Sequence, residues 1–124
     1  MLLKMTIKTR LESESVLPGA IELRKIMYDD PLVQKMEFDK ILIVNVYHHL
    51  DHRESYLREL HKGLKDNGEI LIIDFLKKDF PKGPPEDLRI DPKAVVQDLE
   101  KTGYKVIDKN LELLKYQYIV RAKK

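Results

Sequence analysis

The sequence predicts an α/β protein whose mixed sheet has parallel central strands flanked by helices and ends in an antiparallel hairpin. Two apolar, β-branched runs at 41–46 and 70–75 are typical of strands buried on both faces, as in parallel sheets covered by helices. A helical pattern separates these runs, and two further strand patterns follow a second helix. From residue 38 the predicted order is therefore strand, helix, strand, helix, strand, strand.

Length and composition limit the domain count and the class of partner. The 124 residues predict a single domain, 1–124, and the net charge of +2 does not favour nucleic-acid binding. The chain has no cysteine, which excludes disulfides and thiolate metal sites, and its many Lys, Glu and Ile residues hint at a heat-loving source. No apolar run approaches the ~20 residues of a membrane helix. Because the N-terminus also lacks a signal-peptide pattern, we expect a cytoplasmic protein with no membrane partner.

The first 37 residues form an atypical N-terminal segment. Apolar and polar residues alternate over 5–9, which predicts a strand with one apolar face. Residues 20–27 fit a strand or a short helix equally well. Asp30-Pro31 ends this stretch in either case, because a proline displaces the preceding residue from helical geometry.

The first helix is predicted from the chemistry at its two ends. Asp51 and Glu54 are spaced as in a capping box, which predicts a helix from His52 to about Lys65. Asn67-Gly68 should end it, since both residue types tolerate the left-handed conformation found after helices.

The remaining elements follow a long loop. Residues 76–90 are rich in proline and long for a connection in a compact domain, so the loop is either functional or mobile. Asp91-Pro92 predicts the next helix, with an acidic cap and proline in the first turn, and Thr102-Gly103 ends it. Strand patterns at 104–107 and 116–122 then predict the antiparallel hairpin.

Polar side chains gather where the two apolar runs end. Asn45, Tyr47, His48 and His49 belong to the end of the first run, and Asp74 closes the second. Open α/β sheets bind ligands at the carboxyl ends of parallel strands, so these groups should share a crevice. The histidines can orient a substrate or act as a base, or they can simply pack at the turn. Asp74 can face substrate or cap backbone groups, and the four histidines lack the spacing of metal ligands, so no metal site is predicted.

Residues 38–124 resemble the C-terminal half of a class I S-adenosylmethionine-dependent methyltransferase, in the small-molecule group that includes quinone-biosynthesis C-methyltransferases. The matching stretches are FDKILIVNVYHHL, ESYLRELHKGLKDNGEILIIDF, GPPEDLRI and KYQYIVRAKK. The resemblance implies a truncated Rossmann-like methyltransferase fold, S-adenosylmethionine as cofactor and a small-molecule substrate. It also implies roles for individual side chains. The expected cofactor-binding residues are Asn45, Val46, Tyr47 and Asp29, and the expected catalytic residues are His48, His49 and Asp74.

One half of the family's cofactor site has no counterpart in the sequence. Family members hold the cofactor with a glycine-rich loop and an acidic residue, and neither feature can be placed in 1–37; no two of the five glycines are spaced as G-x-G. Two hypotheses therefore stay open. The chain is a methyltransferase acting on a small molecule, or it is a non-catalytic remnant that associates through an unfinished sheet edge. Its partner would be a second copy in a homodimer or a complementary methyltransferase subunit, unless residues 4–11 pair with 41–46.

Overall fold

A computed structural model describes residues 30–78 and 80–124 of the chain, and these residues form a four-stranded mixed sheet with two helices. The strands are β1 (Phe38–Val44), β2 (Leu64–Phe75), β3 (Lys105–Asn110) and β4 (Gln117–Lys123), in the order β1-β2-β4-β3. The helices are α1 (Arg53–Gly63) and α2 (Pro92–Lys101), and short 3-10 turns lie at Tyr47–His49 and Glu86–Leu88.

The strand directions confirm the predicted class. β1 and β2 run parallel, with Ile41 opposite Ile70 and Val44 opposite Ile73. β4 is antiparallel to both β2 and β3, so the chain ends in the predicted antiparallel hairpin. The carboxyl ends of β1 and β2 therefore meet at one edge of the sheet, as the argument for a shared crevice requires.

Both helices contribute to a core on one face of the sheet. Ile70 and Ile72 of β2 are fully buried in one apolar cluster with Leu57 of α1 and Leu99 of α2. Removing these side chains from water provides the main driving force for holding the layers together, about 1.5–3 kcal/mol for each fully buried aliphatic side chain.

The opposite face is less well covered. Leu42 and Val44 of β1 point to that side and are 62% and 41% exposed, and their neighbour Leu71 is only partly buried. In the described part of the chain β1 is also an edge strand. The apolar run that predicted a strand buried on both faces is thus buried on one.

The first helix is shorter than predicted at its C-terminal end. It ends at Gly63, Leu64 is extended, and Asn67-Gly68 lies inside β2, so the predicted stop at that pair is wrong. Two backbone carbonyls near this end find partners from distant parts of the chain. Met36 N–H donates to the carbonyl of Lys62 over 2.8 Å, and Lys124 Nζ donates to that of Leu64 over 2.6 Å. These partners satisfy carbonyls that the helix leaves free, and a local sequence pattern does not reveal them.

The second helix has the predicted ends. Asp91 accepts a hydrogen bond from the backbone N–H of Lys93 over 2.9 Å, and Pro92 occupies the first turn. Gly103 follows the helix with φ of 97°, a conformation that side chains with a Cβ rarely adopt.

Three sequence predictions concern residues that the structure does not describe. The strand at 5–9, the ambiguous stretch 20–27 and Asp29 lie outside the described residues. They stay predictions.

The stability of the fold should depend on pH through His61. Its ring packs edge-on against Tyr104 with 4.9 Å between centroids, and burial lowers the pKa of His61, with Lys124 adding to this effect and a Gly103 backbone hydrogen bond opposing it. The unfolded chain then binds the proton more readily than the folded one. The free energy of unfolding should fall as pH drops through the ordinary histidine range near about 6.5, and level off below the folded pKa.

Urea unfolding between neutral and acidic pH measures this effect in the wild type and in His61→Gln. The difference in unfolding free energy between the two proteins should change across the histidine range. A pH-independent difference would contradict the assignment.

Candidate active site

Asp74 binds the turn that follows β1, and this contact is the centre of the site. One carboxylate oxygen, Oδ2, accepts the backbone N–H of His48 over 3.0 Å, and His48 Nδ1 lies 2.9 Å from both oxygens. Oδ1 also accepts the N–H of Phe75 over 2.8 Å. The side chains of His48 and Asp74 are only 4% and 3% exposed, so water competes little for these bonds.

The hydrogen bonding determines which nitrogen of His48 holds the proton. An ionised carboxylate can only accept, so Nδ1 must carry the hydrogen and donate it to Asp74. In the neutral ring the other nitrogen, Nε2, then keeps its lone pair. Asp74 holds the ring at Nδ1, and the lone pair on Nε2 can accept a proton or a hydrogen bond.

Asn45 ends β1 and begins the turn that carries His48. Its φ is 57°, in the left-handed region that asparagine tolerates better than most residues. Its backbone N–H donates to Ile73 across the sheet over 2.8 Å, and its side-chain oxygen accepts from Gln117 over 2.6 Å. The predicted strand at 41–46 therefore ends two residues early, because the left-handed φ of Asn45 interrupts the extended backbone.

The turn divides the other predicted residues between core and surface. Tyr47 is fully buried and donates its hydroxyl to Asp98 Oδ2 over 2.7 Å. Burial, and then the bond to Asp98, raise the pKa of Tyr47, so the phenol stays protonated. Val46 is 48% exposed, and His49 is exposed with its ring centroid 4.0 Å from that of His48.

Of the predicted site residues, Asn45, Val46, His48, His49 and Asp74 thus lie around one edge, while Tyr47 packs beneath it. The functional roles expected for all of them stay predictions.

Two charged residues missed by the sequence reasoning lie next to Tyr47. Arg53, at the start of α1, donates from Nε to Asp98 Oδ2 over 3.2 Å, and its guanidinium carbon lies 5.8 Å from the Tyr47 ring centre. Both charges line an open polar cleft of about 390 Å³ at the start of α1. Tyr47 and Asp98 are 51 positions apart in the sequence, so no short-range motif predicts that they pair.

Tyr118 carries an unusual buried hydroxyl beside the same edge. It lies opposite Asp74 in the pairing of β2 and β4 and is fully buried, yet its hydroxyl has no hydrogen-bond partner among the described residues. Burial and the nearby carboxylates of Asp74 and Asp91 raise its pKa, so the group stays a neutral phenol. An unpaired buried hydroxyl normally costs about 1–3 kcal/mol.

Arg89 organises the loop between β2 and α2. Its side chain is buried, at 3% residue exposure, and lies between two aromatic rings, 5.5 Å from the centre of Phe75 and 5.7 Å from that of Phe80. Its guanidinium donates to four backbone carbonyls of the loop, at distances from 2.6 to 3.2 Å. These carbonyls belong to Leu76, Lys78, Lys82 and Pro84.

The loop therefore wraps around a cation rather than around an apolar core. Gly83 supports this arrangement with φ of 90°, and a Cβ there would lie 2.7 Å from the Phe75 ring. The sequence predicted a long, proline-rich loop but gave no indication of the role of Arg89, because backbone carbonyls are present at every residue.

The sheet, with its site at the carboxyl ends of a parallel pair, has the layout of a truncated Rossmann-like methyltransferase fold. A family model described as a methyltransferase domain matches residues 4–72, more than half of the chain, and the chain belongs to that family. The match includes most of the segment 1–37 that the sequence reasoning treated as atypical. The division at residue 38 stays a prediction.

Solved structures share the fold at low sequence identity. An S-adenosylmethionine-dependent methyltransferase from Aquifex aeolicus is 24% identical with a TM-score of 0.80, over 94% of this chain and 60% of that one. A 1,6-didemethyltoxoflavin-N1-methyltransferase from Burkholderia thailandensis, solved with 1,6-didemethyltoxoflavin and S-adenosylhomocysteine, is 19% identical (TM-score 0.58, 75% and 46% coverage). The [4+2]-cyclase SpnF is 13% identical (TM-score 0.72, 96% and 61% coverage).

These likenesses establish the fold alone, and the present chain spans about three fifths or less of each of the three proteins. A comparison with proteins of curated function found no match. Within the described ranges, neither helix is long and apolar enough to cross a membrane, and no cluster of three potential metal ligands occurs.

Replacing Arg89 by Lys should destabilise the protein in spite of the conserved charge. A single ammonium group cannot serve four carbonyls held in a fork, so some buried carbonyls lose their donors. The free energy of unfolding should fall by about 2–4 kcal/mol in chemical denaturation.

Lys77→Met is the matched control for this change. It removes one ammonium–carbonyl bond, from Lys77 Nζ to Arg89 O over 2.9 Å, on the exposed side of the same loop. Its cost should stay near about 1 kcal/mol. Equal losses in the two variants would show that Arg89 has no special role.

Proposed function

We propose that the chain acts as an S-adenosylmethionine-dependent methyltransferase on a small molecule, with His48 and Asp74 on the side of the methyl acceptor. One observation supports this proposal above the others. Asp74 holds Nδ1 of His48, which leaves Nε2 as the basic nitrogen at the carboxyl edge of a parallel strand pair. Family membership supports the proposed reaction class, and the geometry of the pair supports His48 as the base.

The chemistry that the pair supports is deprotonation of a nucleophile. A hydroxyl or amine of the acceptor would transfer its proton to His48 Nε2, while its lone pair forms the new bond to the methyl carbon and the bond from that carbon to sulfur breaks, leaving S-adenosylhomocysteine. S-adenosylmethionine supplies the methyl group in this family. Asp74 stabilises the positive ring that results, and its nearly complete burial strengthens this interaction. In this role Asp74 orients the base and does not itself take up the proton.

The described residues fit only part of the cofactor. Val46 is exposed at the edge and Asn45 presents an amide there, which suits the methionine end. The carboxylate of Asp74 already accepts hydrogen bonds from His48 and Phe75, so it is not available to hold ribose hydroxyls. Asp29, expected near adenine, is outside the described residues. His49 is proposed to contact substrate from its exposed position.

Calorimetric titration of the full chain with S-adenosylmethionine and S-adenosylhomocysteine tests the proposal. We expect saturable heat with a dissociation constant of about 1 μM to 1 mM, the range in which enzyme KM values usually fall. Turnover is measured as S-adenosylhomocysteine formed in the presence of a panel of small phenols and amines. No heat with either ligand would exclude methyltransferase activity for this chain.

His48→Asn and His48→Gln separate two roles of His48, which are its basic Nε2 and its hydrogen bonding to Asp74. The asparagine amide can still donate to Asp74 near the position of Nδ1, but it has no basic nitrogen. This variant should bind the cofactor as the wild type does and lose about 10²–10⁴-fold in turnover. Glutamine also lacks the base, so equal activity of either variant and the wild type would contradict the role of His48.

A second candidate function is a non-catalytic subunit, and the exposed edge strand favours it. Leu42 and Val44 are exposed on β1, the last strand of the described sheet. In the described sheet β1 pairs with β2 on one side alone, and a two-fold axis perpendicular to the sheet can pair an edge strand with its own copy. The occupant we propose for this edge is a second copy of the chain.

A cytoplasmic location also stays part of the proposal.

Sedimentation velocity tests this association with two leucine variants. The wild type should sediment as a dimer, and Leu42→Lys should be monomeric because it places a charge in the apolar contact. Leu113→Lys is the control, because Leu113 is 71% exposed in the β3–β4 connection, away from β1. A wild-type monomer at the highest soluble concentration would exclude the homodimer.

A further inference from the structure

Two contacts fix the turn that carries His48. The first is the hydrogen bonding between His48 and Asp74 described above, and the second involves Tyr47. Asp74 holds His48 directly, through the backbone N–H and Nδ1. The preceding residue, Tyr47, is held from below by Asp98 of α2 through a hydroxyl–carboxylate bond of 2.7 Å. Both residues belong to the same 3-10 turn, Tyr47–His49, so a rotation of one moves the other.

A second charged residue supports the hydrogen bond between Tyr47 and Asp98. Asp98 is 14% exposed in its side chain and is paired with Arg53, whose Nε lies 3.2 Å from the same oxygen that Tyr47 contacts. A hydroxyl bond to a charged acceptor is stronger and shorter than one between neutral groups. Arg53 holds the carboxylate of Asp98 in place, so the tyrosine hydroxyl has a well-defined partner.

We propose that Asp98 is a positioning residue for the base, acting through the Tyr47 hydroxyl. It sets the tilt of the turn, and the turn sets the direction in which His48 Nε2 points. Asp74 alone can hold the ring through Nδ1 while the ring still rotates about that bond. Fixing the turn at Tyr47 removes this freedom and places Nε2 in one orientation toward the carboxyl edge.

The inference rests on the proposed role of His48, and its test reads the ring directly rather than turnover. The measurement is ¹⁵N NMR of the full chain with labelled histidine, which reports the tautomer of His48 and the exchange of its Nδ1 proton with water. In Tyr47→Phe the ring keeps its shape and loses only the hydroxyl. We expect the His48 ring shifts to change and its Nδ1 proton to exchange about fivefold faster, the factor expected for one lost hydrogen bond.

Tyr104→Phe is the matched control. Tyr104 is also a buried tyrosine whose hydroxyl donates, over 2.6 Å, but its acceptor is the backbone carbonyl of Leu57, a residue of α1 outside the turn. This variant should lose comparable stability and leave the His48 spectrum unchanged. If both variants change the ring shifts and proton exchange of His48 equally, a general loss of stability explains the changes and the inference is wrong.

Two variants of Asp98 complete the test. Asp98→Asn keeps an oxygen acceptor for the Tyr47 hydroxyl and should retain most of the wild-type His48 signature, whereas Asp98→Ala should match Tyr47→Phe. An unchanged His48 spectrum in Tyr47→Phe would overturn the proposal even if the chain binds S-adenosylmethionine. Absence of cofactor binding with the expected spectral changes would instead reject the methyltransferase function and keep the positioning role.

Discussion

The carboxylate of Asp74 is the interaction on which the site depends. It lies at the end of β2 and accepts the backbone N–H of His48, a residue 26 positions away that follows β1. The parallel register brings the two strand ends together, and the buried carboxylate then joins them. A buried acid is stable only when its oxygens are well satisfied, and Asp74 accepts from His48 N, His48 Nδ1 and Phe75 N. The carboxylate of Asp74 therefore links the pairing of β1 and β2, the geometry of the turn and the choice of the His48 nitrogen that carries the hydrogen.

Much of the architecture was predictable because it follows from local patterns. Unbroken apolar runs predicted the parallel pair, and Asp91-Pro92 and Gly103 predicted the ends of α2. The meeting of His48 and Asp74 at one edge followed from strand direction alone. These features depend on residue type and spacing, which the sequence displays directly.

The remaining features depend on contacts between distant backbone or side-chain groups. The end of α1 is set partly by donors from Met36 and Lys124, and the loop after β2 by carbonyls gathered around Arg89. The bond from Tyr47 to Asp98 has no local signal either, because a tyrosine in an apolar run looks like any core aromatic residue. The sequence predicted a strand over 41–46, and the left-handed φ of Asn45, which ends β1 at Val44, became visible only in the structure.

The fold by itself does not decide between the chemistries that it can support. Its structural neighbours include S-adenosylmethionine-dependent methyltransferases and a [4+2]-cyclase, so the chemistry is determined by side chains rather than by the fold. A methyl acceptor with a protonated nucleophile needs a base whose free nitrogen faces the strand ends. In the proposed role, the Asp74 carboxylate accepts the hydrogen bond from Nδ1 of His48, which leaves the lone pair on Nε2 for this task. His48 therefore contacts one buried carboxylate through both its backbone N–H and its ring. The double contact of its backbone and ring with a single buried carboxylate is the feature that favours a functional site.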